Sequence, residues 1–343
     1  MRKYGRTRND FRVRFAFAFF INSGHPVFMR HLISLKEQSA DDIREILDIA
    51  ATLKKKYKAG ETTDILRDKT LLMFFQKGST RTRISFEAGM TELGGHAICL
   101  DAAKTQFALA DFRDEIRAAM RFGDVLMMRL MRADDLALAA SFNQIPVIDG
   151  CSEKYHPCQA LGDIFTMAER SGGLDKVKKV AWLGIENNVS NTLKLACAKL
   201  GIDIVLATPE VNAASIDAEL NEVADGSGHV KKTLKIKEAL RDADYVHTDT
   251  WMDVEYFDNG SVRPQFANEY ERRKALLMPY QLNAALIDTY APQAGIMHCM
   301  PMHVGYEISR DAIEHKNSVI FDQAENRKHV QKAILLWLLE KKI

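Results

Sequence analysis

The chain has 343 residues, 47% hydrophobic and 27% charged, with 47 Lys and Arg against 46 Asp and Glu and a net charge of +1. That length exceeds what one core usually serves and calls for two domains, and the composition is that of a globular protein. The near-zero charge leaves no whole-chain footprint for nucleic acid or an anionic membrane, so any anion site must be built from a few placed cations.

Residues 1–28 join a basic run (Arg2, Lys3, Arg6, Arg8, Arg12, Arg14) to a short apolar stretch at 15–21. A secretory signal has this outline, but the apolar part is short and lacks a small-x-small cleavage site. A basic targeting peptide, a disordered extension and an over-long start ahead of Met29 are the other readings. A disordered extension is the expectation carried forward. No stretch approaches the ~20 apolar residues that span a bilayer. The five cysteines (Cys99, Cys151, Cys158, Cys197, Cys299) are odd in number and widely spaced, without CxxC or Cys/His zinc spacing. They read as reduced thiols in a cytoplasmic compartment, with no disulfide framework and no metal.

After Ser39, a plausible N-cap, Asp41 and Asp42 suit a first turn and Ile43, Ile46, Leu47 and Ala50 recur at helical spacing. Short apolar runs at 71–75, 97–100, 125–130 and 145–148 read as buried strands, separated by helical patterns such as 114–122 and 134–142. A long helix at 157–171 and a polar segment at 171–179 lead into a second set of strands at 180–183, 204–207, 245–248, 295–299 and 318–321. The residues at 323–342 read as a last helix. Strands alternating with helices predict an α/β fold of two doubly wound parallel-sheet domains linked by long helices. The expected boundaries are 1–28, 29–165, 166–322 and a C-terminal helix 323–343 packing back on the first domain. Residues 253–273 are polar, too long for a simple turn, and read as a substrate-covering loop or a solvated insertion.

Four blocks carry chemistry. Ser79, Thr80, Arg81, Thr82 and Arg83 follow a strand and open a helix, which places hydroxyls, backbone N–H groups and guanidinium groups where phosphate binds well. His156, Pro157, Cys158 and Gln159 set an imidazole beside an amide, able to polarise a carbonyl. His298, Cys299, Met300 and Pro301 end a strand, where ligands gather in open α/β sheets. A nucleophilic Cys299 is the rival reading there, but no base and orienting partner stand nearby in sequence. The fourth block, Ala324 to His329, brings Arg327 to the start of the last helix. Gly184 stands alone where a dinucleotide fingerprint needs three glycines, so no nucleotide cofactor is expected.

Those blocks, in this order and spacing, resemble the ornithine/aspartate carbamoyltransferase family, the ornithine branch more closely, from about Met29 to the carboxyl end. The resemblance implies carbamoyl transfer from carbamoyl phosphate to L-ornithine, yielding citrulline, without metal or cofactor. It implies that Ser79, Thr80, Arg81 and Thr82 cradle the phosphate. Arg129, His156, Gln159, Cys299, Met300 and Arg327 would hold the carbamoyl side. Thr82, Arg129, His156, Gln159 and Cys299 are the catalytic candidates. Asn188, Asp249, Asp253 and Val254 would meet the acceptor. Gln106 sits where the family lends a glutamine to a neighbouring subunit, which implies a homotrimer with shared sites. A cis peptide between Met300 and Pro301 is implied as well. The chain departs from the family pattern at Asp253, Val254 and Glu255, where Ser-Met-Gly is usual, and at 107–110, where Leu-Gly-Arg-Gly is usual. The first departure leaves putrescine, agmatine or an N-acylated ornithine as alternative acceptors. A non-catalytic relative that binds carbamoyl phosphate is the reading from another class.

Overall fold

The computed structural model describes residues 29–252, 256–258 and 261–343. The expectations for 1–28 and for Asp253 and Val254 lie outside the described residues. The first helix, α1 (Ala40–Lys58), starts on a capping box between Ser39 and Asp42 and ends in Lys55, Lys56 and Lys58, charges that oppose the helix dipole at each end. Its buried stripe is the periodic set expected, with Leu53 added.

The first sheet is four-stranded and parallel, in the order β2-β1-β3-β4. It comprises β1 (Thr70–Phe75), β2 (His96–Asp101), β3 (Val125–Arg129) and β4 (Val147–Asp149), interleaved with α2 (Thr80–Glu92), α3 (Phe112–Ala119) and α4 (Ala133–Ser141). The crossover to the second sheet is α5 (Pro157–Ser171). It opens with Pro157 in its first turn, where no amide donor is needed, and stops at Gly172, whose φ of 72° suits a residue without Cβ.

The second sheet is five-stranded, in the order β11-β8-β5-β6-β7. Its central strand β5 (Lys179–Glu186) runs into α6 (Asn188–Leu200), which is capped by Asn187, and then into β6 (Asp203–Val211). The sheet is completed by α7 (Ala218–Gly226), β7 (Val230–Thr233), α8 (Ile236–Leu240) and β8 (Tyr245–Thr248). A two-residue hairpin, β9 (Phe257–Asp258) and β10 (Ser261–Val262), precedes α9 (Ala267–Leu277) and α10 (Ala284–Tyr290). The chain closes with β11 (Gly295–His298), α11 (Arg310–Ile313) and α12 (Ile320–Leu338).

Two expectations need correction. Residues 318–321 are not a strand: Ser318 makes one isolated bridge to Ile296, and α12 begins at Ile320, earlier than 323. The apolar run Ser318, Val319, Ile320 and Phe321 is too short to separate a buried helix start from a strand by periodicity. Residues 253–273 are not one open loop, since α9 begins within them. Strand β7 went unread because its residues are polar and half-exposed, as an edge strand permits. The last helix lies against α1, α2 and α5 and shares their buried core through Val330, Ile334 and Leu338.

Gly184 shows how tightly the second sheet meets the site. It sits at a register shift in β5, its φ is 108°, and a Cβ there would lie 2.5 Å from the indole nitrogen of Trp251. Gly184→Ala is expected to cost about 1–3 kcal/mol of stability through backbone strain and displacement of Trp251. A denaturant titration followed by tryptophan fluorescence measures it, and an unchanged midpoint would refute the close-approach account.

Candidate active site

The carboxyl ends of both sheets converge on a cavity of about 710 Å³, as expected where strands of an open α/β sheet feed their loops to one edge. The first wall is the turn between β1 and α2. Lys77, Gly78, Ser79, Thr80, Arg81 and Thr82 all line the cavity. Ser79 occupies the N-cap position without a side-chain capping bond, and no acidic residue stands in the first turn of α2. The unpaired N–H groups of that turn and its dipole therefore face the cavity without an internal anion to satisfy them. Instead the Ser79 hydroxyl accepts a hydrogen bond from Nη1 of Arg129, at the end of β3, at 3.3 Å. Burial, with Arg129 nearby, pushes the pKa of Arg81 down from its usual value, but an arginine in this range stays charged.

The floor comes from the start of α5, where His156 and Gln159 line the cavity, and Arg327 of α12 supports it from outside the lining. Arg327 is only 3% exposed. Its Nη1 donates to Oε1 of Gln159 and its Nη2 donates to Oγ1 of Thr82 at 3.2 Å. Gln159 is oriented from the other side, since its Nε2 donates to Asp163 Oδ1 at 2.8 Å. Asp163 also accepts from Nε2 of Gln323 at 2.7 Å, and Gln323 Oε1 accepts the backbone N–H of His298 at 2.9 Å. His156 opens α5, with its backbone N–H donated to Thr192 Oγ1 at 2.9 Å and its Nδ1 buried with no partner among the described residues. Burial first, then Arg327, Arg129 and Arg81, hold the imidazole well below its usual pKa. A neutral imidazole among three cations can donate one N–H to a carbonyl oxygen without adding another charge.

The second wall carries Asp249, buried after β8. It accepts from Asn187 Nδ2 at 2.7 Å, the Thr250 N–H at 2.7 Å and the Cys299 thiol at 2.8 Å. Burial and the carboxylate raise the Cys299 pKa well above the usual thiol value, so the thiol is a proton donor and not a nucleophile. Behind it, the Met300 N–H donates to His298 Nδ1 at 2.8 Å, which leaves the ring proton on Nε2, 3.2 Å from Glu307. Desolvation lowers His298 to about 4 and raises Glu307 to about 7, a direction that favours an uncharged pair in this dry pocket. The Met300–Pro301 peptide is cis. Asp249, His298 and Cys299 also set one ligand atom each within 4.8 Å of one another. That grouping was invisible in linear spacing, and within it the Cys299 thiol donates to Asp249.

Other expected residues fall less simply. Asn188 lines the cavity, but its Nδ2 is turned to the Ser152 carbonyl at 2.7 Å and the Cys151 sulfur at 3.3 Å. Gln106 is exposed on a 3-10 turn and does not line the cavity of its own chain. Trp251, Tyr256 and Arg273 line the site and went unread. Arg273 sits on α9 in a polar stretch with no motif, and only folding shows that it is buried. A larger groove of about 1200 Å³ lies between α1, the end of α5 and the start of α12. Its charges pair with each other, as in Lys54–Glu169 at 2.7 Å and Lys58–Glu325 at 2.8 Å, and do not converge on a ligand position.

The state of His156 has a pH signature. Its folded pKa lies below the unfolded value of 6.5, so its contribution to stability is complete above pH 6.5 and declines as pH falls below it. The expected result is an imidazole resonance that does not titrate between pH 8 and 6, with His156→Asn flattening the acid limb of the stability profile. A titration midpoint near 6.5 in the folded protein would refute the neutral assignment.

Comparisons with known proteins place this geometry. Residues 30–169 match the family model for the aspartate/ornithine carbamoyltransferase carbamoyl-P binding domain, and residues 176–338 match that for the Asp/Orn binding domain. The ornithine carbamoyltransferase of Methanospirillum hungatei is 39% identical over 90% of this chain and 99% of its own. The anabolic ornithine carbamoyltransferase of Pyrococcus furiosus is 39% identical over 89% of this chain and 95% of its own. A solved structure of ornithine carbamoyltransferase from Pyrococcus furiosus superposes with a TM-score of 0.81 at 37% identity, covering 90% of this chain and 96% of that one. With cations on one wall, Asp249 on the other and matches across both halves, the chain belongs to the aspartate/ornithine carbamoyltransferase family.

Proposed function

We propose that the protein transfers the carbamoyl group of carbamoyl phosphate to L-ornithine, releasing L-citrulline and phosphate. The observation that carries this reading is the two-sided cavity, with an anion-binding turn facing a buried carboxylate across a neutral imidazole. Carbamoyl phosphate is a small dianion with a planar carbonyl, and fixing it takes several charge-assisted bonds. Ser79, Thr80, Arg81 and Thr82 supply them to the phosphate, and Arg129 with His156 addresses the carbonyl oxygen. Arg327 and Gln159 orient the carbamoyl group, while the carbonyls of Cys299 and Met300 accept from its NH2. Asp249 pairs with the α-ammonium of the amino acid, with Asn188 lining the same cavity.

The chemistry then follows from placement. The δ-amine, uncharged, attacks the carbonyl carbon and a C–N bond forms. The tetrahedral oxyanion is met by Thr82, Arg129 and His156. As it collapses, the C–O bond to phosphorus's oxygen breaks, phosphate leaves with the electron pair, and the amine proton passes to it. No covalent enzyme intermediate is needed. Holding the two reactants in contact contributes on the order of 7–11 kcal/mol in well-oriented systems.

The test is phosphate release from carbamoyl phosphate with L-ornithine, N-acetyl-ornithine, putrescine, agmatine and L-aspartate. L-Ornithine is expected to give the highest kcat/KM. Dominance of another amine would move specificity to the 253–255 segment, and carbamoyl phosphate binding without transfer to any amine would identify a non-catalytic relative. Arg81→Ala is expected to weaken carbamoyl phosphate binding by ~10–100-fold while the fold persists. Unchanged binding would remove Arg81 from the phosphate site.

We also propose a homotrimer, with Gln106 completing a neighbour's site, working in the cytoplasm. The support is an apolar side chain that a lone chain leaves bare at that turn, Leu109, 83% exposed. For the compartment, the support is that all five cysteines are free. Among the described residues, no helix is long and apolar enough to cross a membrane. Sedimentation equilibrium checks the assembly: three times the 38.7 kDa chain mass is expected, and a monomer with full activity would overturn it.

A further inference from the structure

Four cations line the cavity among the described residues: Lys77, Arg81, Arg129 and Arg273. The first three belong to the turn after β1 and the end of β3. Arg273 alone comes from the second half of the chain, on α9, and is 8% exposed. Its guanidinium is locked on two edges. Nε donates to Glu269 at 2.9 Å and lies 3.1 Å from Glu210, while Nη1 donates to the Trp251 carbonyl at 3.0 Å. The Tyr256 ring lies 5.5 Å from the guanidinium carbon. Nη2 has no hydrogen-bond partner among the described residues, although the side chain borders the cavity.

Two side-chain amides of this wall are already engaged. Asn187 Nδ2 is held by Asp249, and Asn188 Nδ2 by the Ser152 carbonyl. An acceptor that is an amino acid carries a carboxylate as well as two amines, and Asp249 serves only a cation. A rigid, nearly buried guanidinium with one open nitrogen suits a carboxylate, since its planar fork keeps its charge and loses little entropy on binding. We propose that Arg273 is a specificity-determining residue that binds the acceptor's carboxylate through Nη2, selecting an amino acid over a simple diamine. The inference rests on carbamoyl transfer to an amine as proposed above. It adds the residue that reads the carboxylate.

The experiment compares kcat/KM for L-ornithine with that for L-ornithinamide, in which the carboxylate becomes a neutral amide. The ratio is insensitive to the fraction of active enzyme, so a partly folded variant still reports. The unmodified protein is expected to prefer the acid. Arg273→Gln is expected to lower that preference by about 10–100-fold, the range of one charge-assisted hydrogen bond, and Arg273→Lys to retain part of it. A fall in both substrates at constant ratio would show that Arg273 only holds Trp251 in place, which overturns the proposal. An unmodified enzyme indifferent between acid and amide overturns it too. Carbamoyl phosphate affinity, measured without acceptor, is expected to stay constant in Arg273→Gln. Failure of the wider reading would instead appear as no transfer to any amine by the unmodified enzyme.

Discussion

The site depends on a cation with almost no access to water. Arg327 reaches from α12 to bridge Thr82 on α2 and Gln159 on α5, and so ties those two helices together. Taking a guanidinium out of water costs several kcal/mol unless its donors are met and an opposite charge lies near. Here an amide oxygen and a hydroxyl meet Nη1 and Nη2, with Asp163 as the nearby negative charge, while Nε is buried with no partner among the described residues. The close fit also needs Gly162, where a Cβ would lie 3.2 Å from the Arg327 side chain. Much of the surrounding order follows from this contact. Asp163 fixes Gln159 and Gln323, and Gln323 fixes the backbone at His298, one residue before Cys299.

A second constraint is the choice of which groups stay neutral. Arg327, Arg129 and Arg81 already stand near His156, and their charges oppose an imidazolium there. Desolvation works in the same direction, leaving a hydrogen-bond donor without charge. At the far wall, Asp249 accepts from three donors, and its carboxylate keeps the Cys299 proton in place. The arrangement separates an end lined by Arg81 and Arg129 from an end lined by Asp249 within one cavity. A reaction between a phosphorylated carbonyl and an amine needs that separation.

Much of this was legible before folding. The strand, turn and helix around Ser79 to Arg83 were legible, and with them a candidate anion site, because the residue types, their spacing and their place at a helix start agree. The same holds for His156 with Gln159 and for the end of β11. What misled was the short apolar run at 318–321, where buried helix and strand share one appearance. Asn188 was legible as a site residue, but its engagement with Ser152 depends on how the halves of the chain meet. Arg273 was illegible because a charged residue on a polar helix reads as solvated. Only the packing of α9 against the 249–252 segment buries it.

By itself, the sequence determined the alternation of buried strands and amphipathic helices, the caps of α1 and α5, and the residue types of the phosphate turn. These are local properties, set by periodicity, backbone freedom and the donors a helix start exposes. Tertiary structure alone decided which side chains share a cavity, which nitrogens stay open and which groups lose their charge. Those depend on distance and desolvation between residues far apart in the chain, such as Thr82 and Arg327, and no linear spacing encodes them.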